Sequence, residues 1–288
     1  MKSSSCLQIR SLYNGNTKNF LCGAAAFVFL VMVVPFATGE TPTSTPTPPT
    51  PMSASTAQAN PAPPVDEASD DGKISFKLTP SWYRSDDGTR AGDVNLRANT
   101  ETQTAWLGYY RDKTGFSQTR AGYENKLDSG WIRTVLSAQV ASGGFIGGSV
   151  TSEIGGDTYG ILGFGRTNLR DYYNLNFDPN DAITIGVGTR AIANTELTLF
   201  HLWDDRLHTR QRVTHAIIRR KFGDDNNKQR FTLDVSRKSG LTSDDNFIRG
   251  YAVSAAYDFK RYFVRIARDE YVNFSPATQW RISAGLRF

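Results

Sequence analysis

Only two cysteines occur in the 288 residues, Cys6 and Cys22, and both belong to the first stretch of the chain. The rest holds no thiol. It can form neither a disulfide framework nor a cysteine-ligated metal site, and it suits passage through an oxidising compartment, where a stray thiol is a liability. Long apolar runs are as scarce. The one extended uncharged stretch is the 17 residues from Phe20 to Phe36, and nothing later approaches the roughly 20 apolar residues that a spanning helix needs. Any later bilayer crossing therefore falls to strands. Acidic residues are missing before Glu40, so Lys2, Arg10 and Lys18 inflate the formal net charge of +5; without these three it is about +2. No dense Lys/Arg run is present, which excludes nucleic acid as an expected partner.

What is there falls into three segments. Residues 1 to 39 read as a secretory signal, with a basic start, the Phe20–Phe36 run and a small-residue site at Ala37-Thr38-Gly39. An uncleaved anchor is the competing reading, since the run reaches the short end of the spanning range; Pro35 and the Ala-x-Gly ending favour cleavage. Cys22 lies inside the run and lacks a lipoprotein context. Residues 40 to 71 are rich in Thr, Ser, Ala and Pro and hold eight of the chain's twelve prolines. Too little apolar surface is present there to offset the entropy of ordering, so a disordered periplasmic linker is expected, ending at the acidic Asp66-Glu67 and Asp70-Asp71.

From about residue 72 the texture changes to alternation broken by turn-formers, the repeated signature of a membrane barrel. Ile74, Phe76, Leu78, Pro80 and Trp82 share one parity of the first run, with Lys73, Lys77 and Tyr83 on the other. Strands are expected near 73–84, 92–99, 102–111, 116–125, 130–140, 144–153, 157–166, 181–190, 195–204, 210–222, 228–238, 247–259, 261–270 and 278–288. These make fourteen, an even number that returns the last strand to the first; twelve is the runner-up, with 92–99 as part of a bent hairpin. The fold class is thus all-β, a single-chain antiparallel up-and-down transmembrane barrel over 72–288. The longest connections, 167–180, 239–246 and 271–277, fall on one side, and paired glycines such as Gly143-Gly144 and Gly147-Gly148 point to close backbone approach. A soluble β-sandwich or lipocalin-like barrel is the competing architecture, disfavoured by charge on the polar parity of nearly every strand.

In the last run Trp280, Ile282, Ala284, Leu286 and Phe288 alternate with Gln279, Arg281, Ser283, Gly285 and Arg287. This resembles the closing strand of Gram-negative outer-membrane β-barrels, which ends on Phe or Trp. The resemblance implies an outer-membrane location, contact with outer-membrane lipid and lipopolysaccharide, and recognition by the barrel-assembly machinery through the strand ending in Phe288. In size and arginine content the chain is similar to the small oligogalacturonate- and sialic-acid-specific porins, without a shared motif.

Taking the apolar parity of each strand as lipid-facing assigns the lumen Lys73, Lys77, Arg97, Arg120, Arg133, Arg190, Arg230, Arg265, Arg281 and Arg287, against Asp93, Glu124, Asp234 and Asp269. Such a wall either attracts anionic solutes through a pore or ties a small barrel shut by ion pairs. The segment 167–180, with Tyr172, Tyr173 and Phe177, offers an external binding loop or a constriction. The three histidines invite a metal: a hairpin centred on His208 would set His201 opposite His215, Leu199 opposite Ile217 and Trp203 opposite Val213. That register places the pair on an apolar face without a third ligand, so no metal site is assigned. Outer-membrane lipid-modifying enzymes carry His-x-Ser-Asn and their proteases Asp-x-His; neither occurs here, and no phosphate loop or nucleophile elbow appears. Neither a catalytic residue nor a cofactor is expected. The expected function is a channel for anionic or saccharide solutes, exopolysaccharide export included; the alternatives are a non-conducting structural or receptor barrel and, third, a lipid-modifying enzyme.

Overall fold

The computed structural model describes residues 74–175, 178–223 and 228–288. The expected signal and linker, Lys73 and Phe177 lie outside the described residues. Fourteen strands run in chain order. They are β1 (Ser75–Ser85), β2 (Arg90–Asn99), β3 (Gln103–Asp112), β4 (Ser117–Asp128), β5 (Ile132–Ala141), β6 (Phe145–Gly155) and β7 (Thr158–Thr167). The second half comprises β8 (Ala182–Ile192), β9 (Thr195–Asp204), β10 (Arg212–Phe222), β11 (Gln229–Leu241), β12 (Phe247–Phe259), β13 (Tyr262–Asp269) and β14 (Gln279–Arg287). Each is antiparallel to its sequence neighbours, and β1 pairs with β14 from Lys77↔Arg287 to Ser85↔Gln279, so the sheet has no free edge. Backbone bonds from Phe76 N to Phe288 O (2.8 Å) and from Phe288 N to Phe76 O (3.0 Å) continue that seam, and the two rings stack at 5.7 Å. Strand ends lie within three residues of the expected ones. The run near 92–99 is a full strand, which decides for fourteen over twelve.

The alternation works as the bilayer demands. Leu107, Ile146, Val187 and Ile282, each more than half exposed on the isolated chain (55%, 60%, 57% and 52%), point outward, where acyl chains replace water. Outward aromatics gather at two levels, Trp82, Tyr109, Phe247, Tyr251 and Trp280 toward one end and Tyr123, Trp131, Tyr257, Tyr262 and Phe288 toward the other. These are the interfacial girdles of a spanning barrel. The end carrying the long connections 168–181 and 270–278 is the outer end, and the connections opposite, such as 156–157 and 193–194, are short.

Inside, small residues make room for large ones. The Phe263 ring lies flat against Gly285, where an added Cβ would collide with Cε1 and Cζ. Lys77 Nζ sits over that ring at 4.3 Å and Arg287 Cζ at 5.4 Å. Gly285→Ala is expected to push the ring off its seat and destabilise the barrel by about 1–3 kcal/mol. A lower urea midpoint for loss of the heat-modifiable gel band would register it.

Candidate pore and its constriction

All nine cations from Lys77 to Arg287 expected within the described wall occupy the inward parity of their strands. They divide unequally around the circumference. On β2, β1 and β14, Arg97, Lys77 and Arg287 are direct cross-strand partners, a row of three like charges at about 4.5–5.5 Å between Cβ atoms. Asp258 answers part of that charge, accepting from Arg287 and from Arg230 Nη2 (3.3 Å). Arg265 stands opposite Ser283 and Arg281 opposite Tyr83, so cations climb this side toward the waist.

The facing side is neutralised at its inner rim. Asp128, Arg133, Glu153, Arg190, Glu196 and Arg219 form a ladder of alternating sign, with separations of 3.2, 4.0, 2.7, 2.8 and 3.1 Å in that order. Tyr159 Oη donates to Glu196 (2.7 Å) beneath Arg190. Further out, Tyr159, Ile161, Phe200, Leu202, Val213, Ile217, Ile248 and Phe274 make an apolar patch on the inner face.

The segment between β7 and β8 bends into this lumen. Its base is clasped by Asp181, which accepts from Thr167 N (3.1 Å), Thr167 Oγ1 (2.7 Å) and Arg206 Nη1 (2.9 Å). Leu169 adopts φ 61° and turns the chain inward. Tyr172 then stacks on Phe145 at 4.3 Å and Tyr173 on Tyr110 at 3.9 Å. Gln118 donates to Asp171 O (3.0 Å) and accepts from Tyr173 N (2.9 Å). Across the lumen, Arg281 Nη1 donates to Leu175 O (2.6 Å), and His215 Nε2 meets Asp178 Oδ1 at 2.9 Å. Contacts with β3, β4 and β6 on one side and with β10 and β14 on the other mean that the segment spans the bore. Burial holds the hydroxyls of Tyr172 and Tyr173 above the ordinary phenol range.

Paired charges support this waist. Asp93 and Arg120 form an ion pair with both side chains 2% exposed, and Arg120 Nη1 reaches Tyr173 O at 3.4 Å. Lys238 and Asp269 pair under the 3-10 turn Val272–Phe274, whose Phe274 joins the apolar patch. His215 has Asp234 Oδ1 at Nδ1 (2.9 Å) as well as Asp178 at Nε2, and it can donate to both only as the imidazolium.

The expected histidine pair is not formed. The β9–β10 connection is not centred on His208, because Asp204 N bonds Gln211 O (2.9 Å) and the Asp204 carboxylate accepts from Arg206 N (2.8 Å) and Leu207 N (3.0 Å). That closure shifts the register by one residue. His201 lies opposite Thr214 and His215 opposite Phe200, so the two imidazoles point to opposite faces of the wall. Leu199 meets Ala216 and Trp203 meets Arg212, not Ile217 and Val213. The same shift turns Val213 and Ile217 inward and brings Arg219 to the lumen, a cation missed when the apolar parity of β10 is taken as lipid-facing. Lys238 and Asp258 also face inward; their shared parity with Arg230 and Asp234, or with Ser254, carried the signal. Adding Glu153, Glu196 and Asp258 to the anions shrinks the overall excess, and the row on β2, β1 and β14 stands out as three cations in direct cross-strand register.

Compared with solved structures, the chain is similar to the Acinetobacter baumannii outer membrane protein Omp33, with TM-score 0.50 and 8% identity over 75% of this chain and 99% of that one. It is also similar to the KdgM porin (TM-score 0.41, 9% identity, 74% and 99% covered) and the NanC porin (0.40, 7%, 73% and 98%). No protein-family profile and no curated protein sequence matches. The likeness to Omp33 concerns the fold. Together with the closed fourteen-strand sheet and its two girdles, it defines the class by fold: a membrane-spanning antiparallel β-barrel of porin-like architecture.

Proposed function

We propose that the barrel is a channel for small anionic solutes, sugar acids among them, narrowed at its waist by the β7–β8 segment. The row Arg97–Lys77–Arg287 carries this reading. Three like charges placed directly opposite one another on adjacent strands are unfavourable by themselves. Arg97 has no ion-pair partner among the described residues, and an anion passing the inner mouth relieves the repulsion where low-dielectric walls focus the field. The proposal assigns no catalytic residue.

Arg97→Gln with Lys77→Gln tests it better than changes at Arg281, which also holds Leu175. In a planar bilayer the double variant is expected to keep discrete steps while its anion-over-cation permeability ratio falls several-fold. An unchanged ratio removes the row from the mechanism. A second reading, a non-conducting barrel acting through its outer surface, is favoured by how completely the segment is held: Asn174, Asp178 and Asn180 are buried inside it. That reading predicts electrical silence and a partner lost when 168–179 is shortened.

A further inference from the structure

Outward positions of the strands carry neither Asp nor Glu anywhere among the described residues, yet arginine recurs there at the outer end. Arg84, Arg90, Arg111, Arg212, Arg237 and Arg249 all point outward and are exposed at or above the outer aromatic girdle. Arg166 and Arg268 stand at the same level and are engaged by Asp205 (2.6 Å) and Glu270 (2.7 Å). At the inner end the outward strand positions hold Arg220 alone among the described residues. The collar is therefore one-sided, facing one leaflet and not the other.

Two further observations point to a ligand. Arg84 and Arg90 are direct cross-strand partners, and neither has an ion-pair partner among the described residues, an arrangement that an intervening anion would stabilise. In the next pairing Arg84 flanks Trp280, whose other neighbour is Arg268. Directly below, Tyr251, Val253, Ala255, Ile266, Arg268 and Trp280 line a shallow groove of about 220 Å³ on the lipid-facing wall. Ala255 is the small residue that opens it, and apart from the Arg268 head the lining is apolar.

We propose that this collar and groove form a binding site for the phosphorylated glycolipid of the outer leaflet, lipopolysaccharide. Its phosphates would be bridged by Arg84, Arg90 and Arg268, with one acyl chain laid along the groove. Guanidinium forks match phosphate oxygens bidentately, and the girdle tryptophans fix the headgroup level at which the forks sit. The proposal depends on the outer-membrane location and is independent of conduction.

The test uses the full chain folded in detergent and offered three probes: lipopolysaccharide, the same material after phosphatase treatment, and phosphatidylglycerol. Wild-type protein is expected to bind the intact glycolipid most tightly. Arg84→Gln with Arg90→Gln should weaken it by about fivefold per charge removed, and Arg220→Gln should leave it unchanged. Ala255→Trp, which fills the groove without altering charge, should also weaken binding. Equal binding of the dephosphorylated glycolipid would overturn phosphate recognition, whatever the variants do. Equal binding of phosphatidylglycerol would overturn the assignment to a glycolipid, and an unweakened double arginine variant would overturn the collar.

Discussion

Deleting residues 170–179 and rejoining β7 to β8 through a short turn is expected to raise single-channel conductance several-fold and to weaken the discrimination between small and large anions. The segment carries the Tyr172 and Tyr173 rings and the buried Asn174 into the bore and is fastened on opposite walls, by Gln118 on one and by Arg281 and His215 on the other. His215→Ala is the gentler version. It frees Asp178 from its only wall partner among the described hydrogen bonds while leaving the tyrosine stacks in place, so conductance should rise less and flicker more. Planar-bilayer recordings of both variants beside the wild type measure this ordering. Equal conductance in all three would take the segment out of the conduction path.

Asp93→Ala is expected to be among the most destabilising single substitutions in the wall. It leaves the Arg120 guanidinium, 2% exposed, without its counter-charge, a loss of about 3–5 kcal/mol. The comparison that makes the point is Arg133→Gln. That side chain is 46% exposed and its partner Asp128 57%, so solvent already screens the pair and the change should cost about 0–1 kcal/mol. Replacing Asp93 and Arg120 together by Leu should recover most of the loss, because the cost lies in the stranded charge. Urea titration of the folded, heat-modifiable band gives all three values. Arg120 also reaches the Tyr173 carbonyl, so Asp93→Ala should loosen the constriction as well.

The barrel was legible because lipid leaves an outward position little freedom: Trp280, Ile282, Ala284 and Leu286 declare the lipid face of β14, and the partner parity then delivers Arg281 and Arg287 to the lumen. Counting such runs is enough to number the strands and to put the long connections at one end. At β10 both parities are mixed, and alternation no longer marks the lipid face. Val213 and Ile217 look like lipid-facing residues, yet they turn inward to pack with Phe200, Ile248 and Phe274, partners supplied by other strands and by the β13–β14 turn. Periodicity reports two faces and is silent on which meets lipid when the lumen contains an apolar patch. The one-residue register shift at β9–β10 comes from the Asp204 carboxylate gathering the turn, a local bond that outweighs the symmetry suggested by His208. Tyr172 and Tyr173 were recognisable as a binding loop or a constriction; the inward route depends on Phe145, Tyr110 and Gln118, which lie elsewhere in the chain.

The exposed arginines were in plain view as residues and carried no message until outward and inward positions were separated at both ends. Their one-sidedness belongs to the closed barrel, since only closure sets Arg84 beside Trp280 and Arg268.

The central claim is that the cation row on β1, β2 and β14 makes this barrel an anion pathway. The most direct measurement is the zero-current potential of the wild-type protein in a planar bilayer across a salt gradient. Discrete steps with a potential of the sign that marks anion preference are predicted; a silent bilayer, or a potential of the opposite sign, would contradict it.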